Sequence, residues 1–361
     1  MERQKGRKMR INIALFDKDT VYANRLLKIF QIHYAKQITL KVFSDEETFA
    51  SELKAQFFDI AIIDQEFIDL RSSVPDRTVV ALFVKDNLVE MVEQIPSIGK
   101  YQKVENIYKR IVGIYADNSA GVKLRGAAAG VSTILFTSAQ GGAGTSSLAA
   151  GYAIYLAGQG QKVFYLNLET FGTANCFFRG DGNGSFSDVI YALKSKNVNL
   201  AMKLQSLIKR DDSGVEFVDE CRNAFDMVEL KDSEIPELLE GITTAQGYDV
   251  IVIDYSGTLT NRQQTLLKDY VDSVVYVSDG SPIGNSKFLK FCEAVRVIEK
   301  RENTNILSKM GLIYNRYSSK TSKQLDKVPI ILLGGINRIE GIAGRDLVYE
   351  LSKHEMMPNI S

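Results

Sequence analysis

Short runs rich in β-branched and aromatic residues alternate with stretches of helical period along most of the chain. In the first part the runs fall at 11–16 (INIALF), 38–43 (ITLKVF), 58–64 (FDIAIID) and 78–84 (TVVALFV), with a weak one near Ile98. Between the first two, Val21, Tyr22, Leu26, Ile29 and Phe30 form one helical face. This alternation is the pattern of a βα sandwich built on a parallel sheet, and five βα units fit. The expected first domain is therefore a (βα)5 sandwich over residues 1–116.

The stretch 117–130, DNSAGVKLRGAAAG, carries small residues and no strong pattern, and it is expected to be an exposed connector. Beyond it the alternation resumes over 131–361, with strands expected near 133–137, 162–168, 215–219, 249–254, 273–278, 309–315 and 328–333. Helical segments separate most of them. The second domain is thus also α/β, doubly wound, with a mostly parallel sheet. Nothing repeats at a period of about 20 to 50 residues, which sets solenoids aside.

Length agrees with two domains, since 361 residues is enough for two cores and the 45% hydrophobic content argues against disorder. Lys plus Arg (44) balance Asp plus Glu (44), so there is no global field to draw the chain to nucleic acid or acidic lipid. Direct DNA binding is not expected. No apolar run approaches the roughly 20 residues of a membrane helix, and no signal peptide is read at the start. The terminal Met356-Met357-Pro358 segment has few cations, so direct membrane binding through an amphipathic basic tail is not expected either. Cys176, Cys221 and Cys292 are odd in number and far apart, which fits a reducing, cytoplasmic compartment. With His33 and His354 as the two histidines, a His/Cys zinc site is not expected.

Candidate chemistry begins where strand 133–137 runs into Ser138-Ala139-Gln140-Gly141-Gly142-Ala143-Gly144-Thr145-Ser146-Ser147, followed by a helix containing Leu148, Tyr152, Ile154 and Leu156. Strand, glycine loop and helix in this order make a P-loop, because glycines let successive backbone N–H groups turn around phosphate oxygens at a helix start. Ser146 stands where the Mg²⁺-binding hydroxyl belongs. Thr145 occupies the position of the usual lysine. A bare tight turn is the alternative reading of the loop taken alone.

The segment from Val131 to about Lys353 resembles the MinD/ParA family of deviant Walker A proteins, whose loop reads KGGxGK followed by Thr or Ser; 148–169 is similar to that family's first helix and second strand. The resemblance implies ATP and Mg²⁺ as cofactors and a homodimer. It also implies that the first loop lysine reaches across the dimer, a position held here by Gln140. Both loop lysines are therefore absent. The family's acidic pair appears as Asn167-Leu168-Glu169, leaving Glu169 as the carboxylate to orient a water. YDVIVIDYSG (248–257) matches the Walker B strand and delivers Asp254 to the carboxyl edge, where it would hold Mg²⁺ through water. Asn315, at the end of GLIYNR, would bond the adenine, with Ile336 and Asn337 flanking the base. Arg179, Arg316 and Arg338 are the candidates to replace the missing cations.

The first domain resembles a response-regulator receiver over about 9–116. The receiver positions carry Asp17 and Lys18 for the acidic pair, Asp64 for the phosphoacceptor, Phe83 for the Thr or Ser, and Lys100 for the lysine, with Asp19 as a partial stand-in. Lys18 puts a cation beside the metal position and Phe83 removes a hydroxyl, so these residues are expected to be vestigial.

A receiver-like domain ahead of a MinD/ParA-like domain resembles the CpaE/TadZ group of pilus-assembly proteins. The resemblance implies an ATP-binding positioning scaffold for Flp (tight-adherence) pilus machinery, with weak or absent hydrolysis. It implies pilus or secretion machinery as partners, and recruitment of a cytoplasmic protein to a cell pole or the inner membrane through them. Two other classes compete: an active ParA-type ATPase switch in DNA or complex partition, and a phosphorylation-controlled response regulator.

Overall fold

The computed structural model describes residues 10–118, 131–195, 198–257 and 259–360. Two compact units emerge, comprising 10–118 with 198–206, and 131–195 with 207–360, within the described residues. Most of the expected connector, 119–130, lies outside the described residues.

The first unit carries β1 (Ile11–Phe16), β2 (Ile38–Phe43), β3 (Ile60–Asp64), β4 (Val79–Val84), β5 (Met91–Val92) and β6 (Ile95–Gly99) in the order β2-β1-β3-β4-β6-β5. All neighbours are parallel except the β5/β6 edge hairpin. Along β1, Ile11, Ile13 and Leu15 pack with Phe30 and Ile111 on one face, while Ala14 and Phe16 pack with Phe49 and Phe58 on the other. Burial on both faces explains why the strand reads as continuously apolar.

Helices Thr20–His33 and Glu46–Ala55 start on Asp19 and Asp45, whose carboxylates accept the N–H groups of Tyr22 and Thr48. The later crossovers depart from the expected five βα units. A 3₁₀ stretch, Gln65–Ser73, follows β3, and the β5/β6 hairpin follows β4. Glu93 and Gln94 turn that hairpin at φ of 47° and 66°. Both are left-handed, as a two-residue primed turn needs, yet neither is the Gly or Asn that would have announced it.

The first unit is completed by residues from far along the chain. Met202, on helix Leu200–Leu207, joins the core that holds Ile111, and the Lys203 ammonium lies 2.7 and 2.8 Å from the two carboxylate oxygens of Asp117.

The second unit carries β7 (Ser132–Thr137), β8 (Val163–Asn167), β9 (Lys209–Arg210), β10 (Glu216–Phe217), β11 (Val250–Asp254), β12 (Ser273–Ser278), β13 (Met310–Tyr317) and β14 (Ile331–Asn337). The sheet order is β14-β13-β12-β7-β11-β8-β10-β9, parallel but for β9 on β10. From β7 the chain continues to one side of the sheet and returns later to fill the other. The carboxyl end of β7 is therefore a topological switch point, where open α/β sheets form a crevice. Helix Thr145–Gly158 buries Leu148 and Tyr152 there, and helix Gly344–Ser352 packs so closely on it that a Cβ at Gly151 would stand 2.9 Å from Leu351 Cβ.

Candidate functional site

The loop between β7 and helix Thr145–Gly158 turns through Gly142 and Gly144, at φ of 76° and 81°. A side chain would be strained at both. The Ser138 hydroxyl accepts the Gln140 N–H at 3.0 Å, and the Tyr276 hydroxyl accepts the Ala139 N–H at 3.1 Å, fixing the entry to the loop. At Gly144 a Cβ would stand 2.5 Å from Asn315 Nδ2, whereas at Gly141 and Gly142 it would meet nothing within 4 Å. The loop is thus packed on its Asn315 side and open at its crown, beside a helix N-terminus.

Neither position of a missing lysine projects a free polar arm. Thr145 is buried in the first turn of its helix. Gln140 turns toward the start of helix Pro282–Glu302, with its Oε1 buried, unpartnered and against Gly284. Burial opposes ionisation of the neighbouring Asp279, but hydrogen bonds from Ser281 and Gln140 outweigh it and hold the carboxyl below its ordinary range.

Facing the loop, Asp254 ends β11 fully buried. Its Oδ2 accepts the Tyr165 hydroxyl at 2.8 Å and the Asn167 amide at 2.9 Å, while Oδ1 has no partner. Asn167 also takes the Glu169 N–H at 3.0 Å, and the Ser146 hydroxyl lies 3.4 Å from Glu169 Oε2. Burial, reinforced by the Glu169 charge, pushes the Asp254 carboxyl up to about 7. Burial also raises Glu169, against hydrogen bonds from Ser146 and the Ser256 backbone.

Mg²⁺ fits these residues. It takes hard oxygen ligands and needs one or two carboxylates when phosphates supply others. Ser146, Asp254 and Glu169 offer such oxygens, and the orphaned Oδ1 of Asp254 is a buried acceptor that a cation would satisfy. Among the described residues no cluster of three or more His, Cys, Asp or Glu forms a self-sufficient metal cage. Tyr165, which holds Asp254 in place, was missed in the sequence because its hydroxyl is brought to Asp254 by the neighbouring strand rather than by any motif.

A cavity of about 390 Å³ adjoins the loop, lined by Gly144, Ser147, Asn315, Arg316, Asn337 and Arg338. It opens beside the glycine loop, on its Asn315 side. Ile336 lies beneath it in the core, 1% exposed. The Asn315 amide donates to the Ala143 carbonyl at 2.9 Å, and Arg316 Nη1 to the Gly142 carbonyl at 2.7 Å. Of the three arginines considered, Arg316 touches the loop and Arg338 lines the cavity. Arg179 does not line that cavity, and its backbone N–H donates to Asp211 at 2.7 Å.

In the first unit the structure gathers Asp17, Asp64 and Lys100 at the carboxyl ends of their strands, all buried. The Lys100 ammonium pairs with Asp17 Oδ2 at 2.8 Å and bonds Asp64 Oδ2. The remaining oxygens accept the N–H groups of Asp19 and Glu66, each at 2.9 Å. Burial raises the Asp17 carboxyl despite Lys100. Lys100 also sits 5.8 Å from the Phe83 ring and 5.9 Å from that of Tyr22. Lys18 instead lies 3.6 Å from Glu46 and over the Phe16 and Phe67 rings.

The two units define two doubly wound α/β domains, the second with a glycine loop between its switch-point strand and the helix that follows. Residues 9–116 match the family described as "TadZ-like, receiver domain", to which the first unit is similar. No curated protein matches the chain. Among solved structures, the chain is similar to a ParA family ATPase from Chlorobium tepidum, at 15% identity and a TM-score of 0.49, over 63% of this chain and 96% of that one. It is also similar to the septum site-determining protein MinD complexed with Mg-ADP from Pyrococcus horikoshii, at 19% and 0.44, over 61% and 86%. A plasmid partition protein from Borrelia burgdorferi matches at 19% and 0.45, over 63% and 97%. Among the described residues no helix is long and apolar enough to cross a membrane.

Proposed function

We propose that the chain is an ATP-binding positioning scaffold for tight-adherence pilus machinery, acting as a homodimer and hydrolysing ATP poorly. The observation that carries this reading is the mixed state of the P-loop site. Open glycines, Ser146 and Asp254 remain, while the lysine positions hold a buried Thr145 and an inward-turned Gln140. Loop amides and the helix dipole favour the phosphates, and Ser146 with Asp254 would hold Mg²⁺. Bound Mg²⁺ supplies charge neutralisation at the phosphates. Glu169, whose carboxylate accepts the Ser146 hydroxyl and whose backbone N–H donates to Asn167, would orient a water.

Hydrolysis demands more than binding, because charge grows on the phosphoryl oxygens in the transition state and a placed cation contributes about 10³ to 10⁵ in rate. Binding without efficient turnover suits a scaffold, whose nucleotide needs only to favour one conformation over another. The TadZ-like receiver domain supports the assignment to pilus assembly. With Phe83 where a hydroxyl-bearing residue belongs and Lys18 at an acidic position, that domain suits protein docking better than phosphoryl reception.

The test is equilibrium binding and steady-state hydrolysis on one preparation. Saturable Mg²⁺-dependent ATP binding is expected, with turnover far below about 1 per second. Turnover at or above about 1 per second, within the ordinary range for enzymes, would overturn the scaffold reading in favour of an active ATPase switch.

A further inference from the structure

β13 does not run straight to its end. Its register with β14 shifts between Tyr314, opposite Gly335, and Tyr317, opposite Asn337, so Asn315 and Arg316 together oppose Ile336. This is a β-bulge, a device that re-aims side chains near functional sites. Arg316 takes φ of 57°, a left-handed value uncommon for a residue with a side chain. The strain is local and both re-aimed side chains reach one target: Arg316 Nη1 bonds the Gly142 carbonyl at 2.7 Å, and Asn315 Nδ2 reaches those of Ala143 and Gly144 at 2.9 and 3.4 Å.

Those are three consecutive carbonyls of the glycine loop. In a planar trans peptide the C=O and the next N–H point in opposite directions. Holding the three oxygens toward β13 therefore directs the N–H groups of Ala143, Gly144 and Thr145 the other way.

We propose that the Asn315–Arg316 bulge is a carbonyl clamp that presets the glycine loop for phosphate, with Arg316 as a positioning residue taking over the organising role that the absent loop lysine leaves open. This rests on the nucleotide-binding reading above, and it assigns that site a residue whose effect falls on the phosphates and not on the base. The guanidinium charge beside the loop adds a favourable field for an anion.

The experiment compares affinities for adenosine, AMP, ADP and ATP, with Mg²⁺ present, in the full chain and in Arg316→Ala, Arg316→Lys and Arg316→Gly. Amide hydrogen exchange of residues 143–145 is measured without any ligand. Arg316→Ala is expected to weaken ATP about tenfold, the scale of a charge-assisted hydrogen bond, and to leave adenosine unchanged. Exchange in the loop is expected to quicken. Arg316→Lys should recover part of the ATP affinity, and Arg316→Gly, which relieves the left-handed backbone, should reproduce the alanine pattern in a well-folded chain. Equal weakening of all four ligands, or no weakening with loop exchange unchanged, would overturn the clamp. If the unsubstituted chain binds none of the four while loop exchange still responds to Arg316→Ala, the clamp stands and the nucleotide reading falls.

Discussion

Asp254 is buried without a donor on one oxygen and with Glu169 beside it, and its carboxyl is pushed from 3.8 up to about 7. Ionising it therefore works against the ligand-free fold. The penalty is absent below about pH 4, grows as pH rises toward 7, and is complete above that. Asp254→Asn keeps an acceptor for Tyr165 and Asn167 and removes the charge, so thermal melts without Mg²⁺ should show it more stable than the parent. The gain should be several degrees near pH 8 and smaller near pH 5. Lys100 presents the reverse case, because Lys100→Met strands two buried carboxylates. Urea unfolding should show a loss of about 3 to 5 kcal/mol, partly recovered when Asp17→Asn is added. Ser146, Asp254 and the receiver residues were legible because each closes a strand or opens a helix in a fixed order. Gln140's inward turn was not, since it depends on Asp279 and Gly284, remote in sequence.

At the scale of elements, the continuous apolar runs announced parallel strands, and the glycine loop announced the helix that follows. What stayed hidden are places where the backbone leaves its expected path without a signalling residue. The Glu93-Gln94 turn is one, and the Asn315–Arg316 bulge is the other. Replacing Glu93-Gln94 by Asn-Gly should stabilise the first unit by about 1 kcal/mol in urea unfolding, since both residues already hold left-handed angles that these types adopt more cheaply. Gly144→Ala should do the opposite in the second unit. Its Cβ would meet Asn315 Nδ2 at 2.5 Å in a left-handed conformation, so ATP binding should fall well beyond tenfold, as a fluorescent analogue would report.

Across the whole molecule, both sheets are doubly wound, and hydrophobic periodicity announces their central parallel strands but not the short edge strands β5 and β9. It does not announce that Met202 completes the core of the first unit, because helix Leu200–Leu207 looks in sequence like any other helix of the second. Met202→Ala should cost about 2 kcal/mol or more, and hydrogen exchange should show the loss in β1 and β3 while β7 and β11 keep their protection. The account as a whole depends on a triphosphate being held by main-chain amides and a metal where lysines are missing. Titration calorimetry of ATP into the full chain, with and without Mg²⁺ and repeated on Asp254→Ala, tests this directly. Saturable heat that requires Mg²⁺ and disappears in the variant is the predicted result; a folded parent chain giving no heat at any Mg²⁺ concentration would contradict it.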